Sequence, residues 1–145
     1  MSEKLSLKFE PASGNSQDQV LQHIAGEVEE LGQREAWPDS LVFKVNLVLE
    51  ELGINILSYG GESGGPWPEF EIVITSEDDS LTIEISDKGR PFDPFSDAPK
   101  PSLDSDLEDR KVGGLGIHLV QTMMDGLSYE HSGGENRLTM VARRD

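Results

Sequence analysis

A glutamate and an asparagine at helical spacing are the first side chains in this sequence whose types suggest shared chemistry. Glu51 and Asn55 lie four residues apart in an apolar stretch that predicts a helix, so they share one face, one turn apart. Burying a carboxylate and a carboxamide costs free energy unless both are paired, and a bound ion with its ligand would pair them. A solvated helix edge is the alternative. Glu50 is rotated from Glu51 by about 100° and is predicted to be a surface acid.

An aspartate on the apolar side of a predicted strand is the second candidate. Asp87 continues the alternation of the preceding apolar residues, so its carboxylate would face the core and need a polar partner. Gly89 follows it in a turn. Further along, the glycine-rich stretch 113–116 leads into a predicted helix, whose first backbone N–H groups can bind an anion. Alone, these two signals are equally well explained by a polar turn and an ordinary helix entry.

The composition is that of one soluble globular domain. The 145 residues predict a single domain, 1–145, and contain no cysteine, which excludes disulfides and thiolate metal sites. Twelve basic against 28 acidic residues give a net charge of −16, which repels phosphate backbones and argues against direct nucleic-acid binding. The N-terminus lacks the apolar core of a signal peptide, and no apolar run reaches membrane length. We therefore expect a cytoplasmic protein that does not bind membranes.

Two helices precede the strand that carries Asp87. Ser16 and Gln19 predict a capping box at the start of the first helix, and Gly32 is its predicted end. The second helix is predicted to begin at a cap on Asp39 or Ser40 and to end near residues 59–61.

Alternating apolar residues predict the strands. One strand lies near the N-terminus, two more flank a turn at 77–80, and a closing hairpin has strands at 127–132 and 137–143. This order of elements predicts an α/β fold, a two-layer sandwich with a mixed, largely antiparallel sheet and helices packed on one face. Residues 94–112, rich in proline and acid, predict no packed element and are interpreted as a flexible lid or a disordered segment.

The three chemical signals stand in an order that resembles a known domain. Glu51-x-x-x-Asn55, Asp87-Lys88-Gly89 and Gly113-Gly114-Leu115-Gly116 resemble the motifs of the ATP-binding domain shared by gyrase-type, chaperone, histidine-kinase and mismatch-repair ATPases. Within that superfamily, the stretches 49–60, 114–120 and 136–140 are most similar to the small anti-sigma factor serine/threonine-protein kinases. The resemblance spans roughly the whole chain and implies a histidine-kinase-like ATPase fold that binds ATP with Mg²⁺.

The resemblance also implies roles for individual residues. Asn55 would supply its side-chain oxygen to Mg²⁺, and Glu51 would orient or deprotonate the attacking hydroxyl. Asp87 would accept a hydrogen bond from the adenine amino group, and Gly89 would let the backbone approach the base. Thr139 would complete the adenine pocket, although a β-branched residue in a strand needs no such explanation.

The phosphates would be bound near the glycine-rich turn. The resemblance implies that Gly114, Leu115 and Gly116 bring backbone N–H groups to them at a helix N-terminus. Arg110 and Lys111, adjacent to the turn, would pair with the γ-phosphate, or would simply be solvated.

The family resemblance implies a function with protein partners. Such a kinase is expected to form a homodimer, to bind a sigma factor and to phosphorylate a serine of an anti-anti-sigma antagonist. The alternative is a non-catalytic ATP-binding switch module that sequesters a regulatory partner. Glu51 favours the enzyme, because a pure binding protein would not need a base at that position.

Overall fold

The computed structural model describes residues 3–11, 14, 16–59, 67–89 and 120–144. These residues form five β-strands and two long α-helices. The strands are β1 (Glu3–Phe9), β2 (Phe70–Ser76), β3 (Ser80–Asp87), β4 (Gly126–Ser132) and β5 (Glu135–Arg143), and the helices are α1 (Gln17–Arg34) and α2 (Asp39–Tyr59). In this part of the chain, no helix is both long enough and apolar enough to span a membrane.

The strands form one sheet in the order β1-β2-β3-β5-β4, and every pairing between the described strands is antiparallel. Alternate residues of β2, β3 and β5 are buried, so the core lies against one face of the sheet. The apolar stripes of α1 and α2 belong to the same core. Both helices therefore cover that face, and the predicted α/β sandwich is confirmed.

Helix α1 begins as the sequence predicts. The Ser16 hydroxyl accepts from the Gln19 backbone N–H at 3.1 Å, and the Gln19 side-chain oxygen accepts from the Ser16 N–H at 2.8 Å. This reciprocal pair satisfies two N–H groups that the helix itself cannot, so the capping box is confirmed.

The predicted end of α1 at Gly32 is wrong, because the helix continues to Arg34. Gly32 is instead a point of close packing between α1 and the chain that follows it. A Cβ at this position would lie 2.8 Å from Cγ2 of Val42 and 3.3 Å from Cε3 of Trp37. Glycine is required here for space, which the sequence alone does not distinguish from a helix stop.

The predicted cap of α2 on Asp39 or Ser40 is wrong, because the helix begins at Asp39, one or two residues earlier than those caps would give. The Pro38 carbonyl accepts from the backbone N–H groups of Leu41 and Val42, at 2.9 and 3.2 Å, so Pro38 precedes the helix and Asp39 is its first residue. In the first turn the Asp39 carboxylate lies near the positive end of the helix dipole.

The connection between the helices is attached to one end of the sheet. The Trp37 indole N–H donates to the Ser76 hydroxyl at 3.1 Å, and both residues are buried. Arg144 donates to the main-chain oxygens of Glu35 and Glu77, and it pairs with the Glu35 carboxylate at 3.6 Å. Because α1 runs into this connection and α2 runs out of it, the second half of α2 extends toward the opposite end of the sheet.

A two-residue turn, Gly133–Gly134, joins β4 to β5. Its φ angles of 60° and 80° are those of a type I′ turn, which glycine adopts without strain. The predicted start of the last strand at residue 137 is wrong by two residues, because the turn is shorter than the sequence suggests. Asn136 consequently lies in β5, where it pairs with Asp87 of β3.

The predicted third helix is only partly described. Residues 120–123 are helical, and Val120 and Met124 are buried in the core. The predicted lid at 94–112 lies outside the described residues.

The packing of α1 predicts opposite effects for two alanine substitutions. Gly32→Ala should lower the free energy of unfolding by about 1–3 kcal/mol, because the new methyl group would displace the stiff Val42 side chain and the Trp37 ring. Gly26→Ala is the matched control, since a Cβ there meets nothing within 4 Å and the change should stabilise the helix by about 0.5–1 kcal/mol. Urea denaturation of both variants measures the difference, and equal effects would disprove the packing role.

Candidate active site

The candidate residues lie at the end of the sheet away from the helix connection. Asp87 ends β3 and pairs with the first residue of β2, whereas the last residue of β2 is the one bonded to that connection. The Gln17 side chain donates to the Leu57 main-chain oxygen at 3.2 Å, which ties the start of α1 to the last turns of α2. The second half of α2 and the end of β3 therefore occupy the same end of the molecule.

Glu51 and Asn55 lie in that half of α2, one turn apart. Asn55 is buried, with 8% of its surface exposed, and Glu51 is half-buried. Glu50 is exposed, so the two adjacent glutamates have different environments, as their rotation around the helix predicts.

The Asn55 amide carries a polar atom that the described residues do not satisfy. Its Nδ2 is enclosed and has no hydrogen-bond partner among them. Because the amide nitrogen and oxygen exchange places on rotation, either atom can occupy this enclosed position. An unpaired buried polar atom costs about 1–3 kcal/mol, so such a group in a folded protein calls for a ligand, an ion or a further contact.

The Glu51 carboxyl group holds its proton more tightly than an exposed glutamate does. Burial raises its pKa, and the adjacent negative charge of Glu50 raises it further. A raised pKa brings a carboxylate closer to the range in which a general base works at neutral pH. The environment of Glu51 thus suits proton transfer, whereas Glu50 has only a surface position.

Asp87 is held by hydrogen bonds to one of its two oxygens. Its Oδ1 accepts from the Gly89 backbone N–H at 2.9 Å and from the Asn136 side-chain nitrogen at 3.0 Å. No described residue donates to Oδ2. The carboxylate is therefore fixed in orientation while one oxygen remains able to accept a hydrogen bond from a ligand.

Burial also dominates the electrostatics of Asp87. Desolvation raises the pKa of this carboxyl group, against the hydrogen bonds from Asn136 and Gly89 and the charge of His131, which lower it. Glu135 adds to the increase. The aspartate predicted from strand parity to face the core is thus a partly desolvated acid that needs polar partners.

The structure separates Thr139 from the other predicted residues. Thr139 pairs with Glu84 of β3 and Ser128 of β4, while the buried residues of β5 are Asn136, Leu138, Met140 and Ala142. Strand alternation places Thr139 on the face opposite to Asp87. The prediction that its side chain completes a pocket with Asp87 is therefore wrong.

Asn136 is the residue that sequence reasoning missed. It is 5% exposed, directly opposite Asp87 in the ladder, and its amide donates to the Asp87 carboxylate. The Tyr129 hydroxyl donates in turn to the Asn136 side-chain oxygen. The available signal was the Gly133–Gly134 pair, because two adjacent glycines are typical of a two-residue hairpin turn and would have placed Asn136 in the strand.

Five predicted site residues lie outside the described part of the chain. They are Arg110, Lys111, Gly114, Leu115 and Gly116, which were assigned to phosphate binding. The arrangement that is described has an oriented hydrogen-bond acceptor at Asp87, and a carboxylate beside an unsatisfied amide on α2. Among the described residues no group of three acidic or histidine side chains could hold a metal ion alone.

This geometry occurs in a chain that matches a known domain along most of its length. The sequence profile of the histidine kinase-like ATPase domain matches residues 15–142, from just before α1 into the last strand. The antiparallel sheet covered by helices on one face agrees with this match. Fold and profile together define the class of protein as a histidine kinase-like ATPase domain.

Curated relatives narrow this class. The serine/threonine-protein kinase BtrW of Bordetella bronchiseptica is 30% identical over 115 residues, which cover 79% of this chain and 80% of that protein. The serine-protein kinase RsbW of Halalkalibacterium halodurans is 28% identical over 107 residues, 70% of this chain and 63% of that protein. The anti-sigma F factor of Caldanaerobacter subterraneus subsp. tengcongensis is 30% identical over 66 residues, 46% of each chain. The chain belongs to the anti-sigma factor serine/threonine-protein kinase family.

The raised pKa of Glu51 predicts a pH-dependent gain in stability for Glu51→Gln. The folded protein binds the Glu51 proton more tightly than the unfolded chain, so this group's contribution to stability falls as pH rises from the ordinary value of 4.5 through the raised pKa. Above that window the wild type carries a half-buried charge that glutamine lacks. We expect the variant to be more stable at pH 8, with a smaller difference at pH 4.5, the ordinary value, below the raised pKa of Glu51.

The control for this experiment is Glu30→Gln, which removes an exposed carboxylate from α1 and reports the relief of general repulsion in a protein of net charge −16. Denaturant midpoints of both variants at each pH provide the comparison. A gain from Glu51→Gln no larger than that of the control would contradict the burial of the Glu51 charge.

Proposed function

We propose that the protein is an ATP-dependent serine/threonine protein kinase that phosphorylates an anti-anti-sigma antagonist and sequesters a sigma factor. The observation that carries this proposal is the half-buried Glu51, whose pKa is raised, one turn before an Asn55 amide that has no partner for its Nδ2 within the described part of the chain. The names of the relatives support the same reading, since two of them are called serine or serine/threonine kinases and one an anti-sigma factor.

Asp87 supports adenine as the base of the phosphoryl donor. An ionised carboxylate can only accept hydrogen bonds, and its Oδ2 receives none from the described residues. The exocyclic amino group of adenine is a donor and would satisfy this oxygen, whereas the carbonyl oxygen at the same position of guanine would oppose it. Gly89, whose N–H anchors the other carboxylate oxygen, lacks a side chain that would hinder approach of the base.

Glu51 would act as the general base in phosphoryl transfer. As the serine oxygen of the antagonist forms a bond to the γ-phosphorus of ATP, the Glu51 carboxylate accepts the hydroxyl proton. The bond between the γ-phosphorus and the bridging oxygen breaks, and ADP leaves with that oxygen. A positioned base of this type contributes roughly 10²- to 10⁴-fold to the rate.

The residues on α2 also suit a magnesium ion that is shared with the nucleotide. Magnesium favours oxygen ligands and is often held by one or two protein groups together with substrate phosphates, where it neutralises phosphate charge. The Asn55 amide is such a group, and its enclosed atom has no partner among the described residues.

Partner binding and assembly complete the proposal. We infer a homodimer that acts in the cytoplasm, captures a sigma factor and releases it when the unphosphorylated antagonist binds. The acidic surface, with a net charge of −16, would favour basic surfaces on such partners. Candidate antagonists and sigma factors are the proteins encoded beside this gene.

Labelled ATP tests the reaction directly. The protein is incubated with γ-labelled ATP and a candidate antagonist encoded beside its gene. The expected result is label on a serine of the antagonist. Release of free phosphate alone would indicate an ATPase instead, and a nucleotide-dependent complex without transfer would indicate a switch module.

The role of Glu51 predicts a separation of binding from catalysis. Glu51→Gln retains the shape and hydrogen-bonding reach of the side chain but cannot accept the proton, so ATP binding should remain near normal while phosphoryl transfer falls roughly 10²- to 10⁴-fold. Glu50→Gln is the control and should change the rate little, since Glu50 is exposed. Transfer at the wild-type rate by the Glu51 variant would remove the catalytic assignment.

The role of Asn55 predicts an effect that depends on magnesium. Asn55→Ala should weaken ATP binding in the presence of Mg²⁺ more than in its absence, because the lost oxygen matters when the ion must be held against the phosphates. Isothermal titration with and without EDTA measures both affinities. An equal loss in the two conditions would make Asn55 a packing residue rather than a ligand.

A further inference from the structure

Three side chains form a hydrogen-bonded row across three neighbouring strands at the candidate site. Asp87 ends β3, Asn136 lies directly opposite it in β5, and Tyr129 lies in β4, opposite Leu138. Tyr129 is thus the diagonal neighbour of Asn136, a separation that a long aromatic side chain can bridge. Its hydroxyl donates to the Asn136 oxygen, and the Asn136 nitrogen donates to Asp87 Oδ1 at 3.0 Å.

The three members of this row hold one another in position. The amide of Asn136 must present its nitrogen to Asp87, because an ionised carboxylate accepts but cannot donate. The Tyr129 hydroxyl, on the other side of the amide, stabilises that same orientation by donating to the oxygen. Rotation of the amide by half a turn would place its oxygen against the carboxylate oxygen, so the charge of Asp87 opposes this rotation, while the bond from the Tyr129 hydroxyl holds the amide in position.

The orientation of the amide also determines how Asp87 meets a ligand. With Oδ1 bonded to both Asn136 and Gly89, the carboxylate plane is fixed and Oδ2 points in one direction. Without these bonds the carboxylate could rotate about its terminal torsion, which is broad for aspartate. It would then form a weaker and less directional contact with a donor on the base.

We propose that Tyr129 and Asn136 are positioning residues that give the site its preference for adenine nucleotides. They hold Asp87 so that its Oδ2 accepts a hydrogen bond from the 6-amino group of the base. This inference rests on the proposed function, since it assumes that Asp87 contacts the base. It extends the adenine contact from one residue to a row of three and includes a tyrosine on the edge strand β4.

The test compares two nucleotides that differ only in the 6-amino group. ATP and purine riboside 5′-triphosphate have the same phosphates and ribose, so the ratio of their affinities isolates the contact with Oδ2. Wild-type protein should bind ATP roughly tenfold more tightly than the analogue, which corresponds to one well-formed hydrogen bond to a charged group.

Tyr129→Phe removes the hydroxyl and keeps the ring that packs against the core. We expect its affinity for ATP to fall roughly three- to tenfold, its affinity for the analogue to change little, and the ratio to approach one. Simple destabilisation of the site would lower the affinities for both nucleotides equally and leave the ratio of the two affinities unchanged. The matched control is Thr139→Val, which removes one hydroxyl from β5 on the opposite face and should preserve the wild-type ratio.

A double variant tests whether the row acts as a unit. Asn136→Ala should also reduce the affinity ratio, and adding Tyr129→Phe to it should cause no further reduction, because the proposed effect of the hydroxyl on Asp87 passes through the amide. Additive effects of the two substitutions would contradict the proposal that Tyr129 acts on Asp87 through Asn136. Circular dichroism and denaturation confirm that each variant is folded, and Tyr129→Phe decides the question if Asn136→Ala does not fold.

The outcomes separate this inference from the proposed function. Wild-type protein that binds neither nucleotide would refute ATP binding itself, and equal affinity for the two would refute recognition of the amino group by Asp87. If the wild type discriminates and Tyr129→Phe discriminates equally well, only the positioning role is overturned.

Discussion

The cost of burying polar groups on the helix-covered face of the sheet is the constraint on which this structure depends. Asp87 continues an apolar row of β3 into the space beneath the helices, where a carboxylate loses hydration. The antiparallel register offsets this cost because it places Asn136 directly opposite Asp87, where the amide donates to the carboxylate. The backbone N–H of Gly89 is the second donor. The two-residue glycine turn between β4 and β5 leaves Asn136 inside the strand, where it is available for this pairing.

The two ends of the sheet have different roles in the structure. At one end, Trp37 and Arg144 attach the connection between the helices to the strands, through a buried hydrogen bond from Trp37 and more exposed ones from Arg144. At the other end stand an enclosed amide that the described residues leave unpaired, a half-buried Glu51 and a partly desolvated Asp87. The first end fixes the direction of α2, and the second presents groups whose polar requirements a ligand can meet.

This division explains why the candidate site costs stability. A charge on a half-buried Glu51 disfavours the folded state, and so does an Asn55 amide atom that finds no partner among the described residues. Protein sites that carry strained or unsatisfied groups are commonly functional, because binding restores what folding alone does not supply.

The sequence by itself determined the helices, most of the strand pattern and the helix face that Glu51 and Asn55 share. It also placed Asp87 on the side of its strand that faces the core. These features follow from periodicity and local hydrogen bonding, as the capping box of Ser16 and Gln19 illustrates. Only the tertiary structure decided which residues meet across strands. Whether Asn136 or Thr139 shares the face of Asp87 depends on the register between β3 and β5, because a slip of one residue would exchange the two faces, and the local sequence pattern did not fix that register. Gly32 shows the same limit, because its role comes from Val42 and Trp37, which reach it only once the helices pack together.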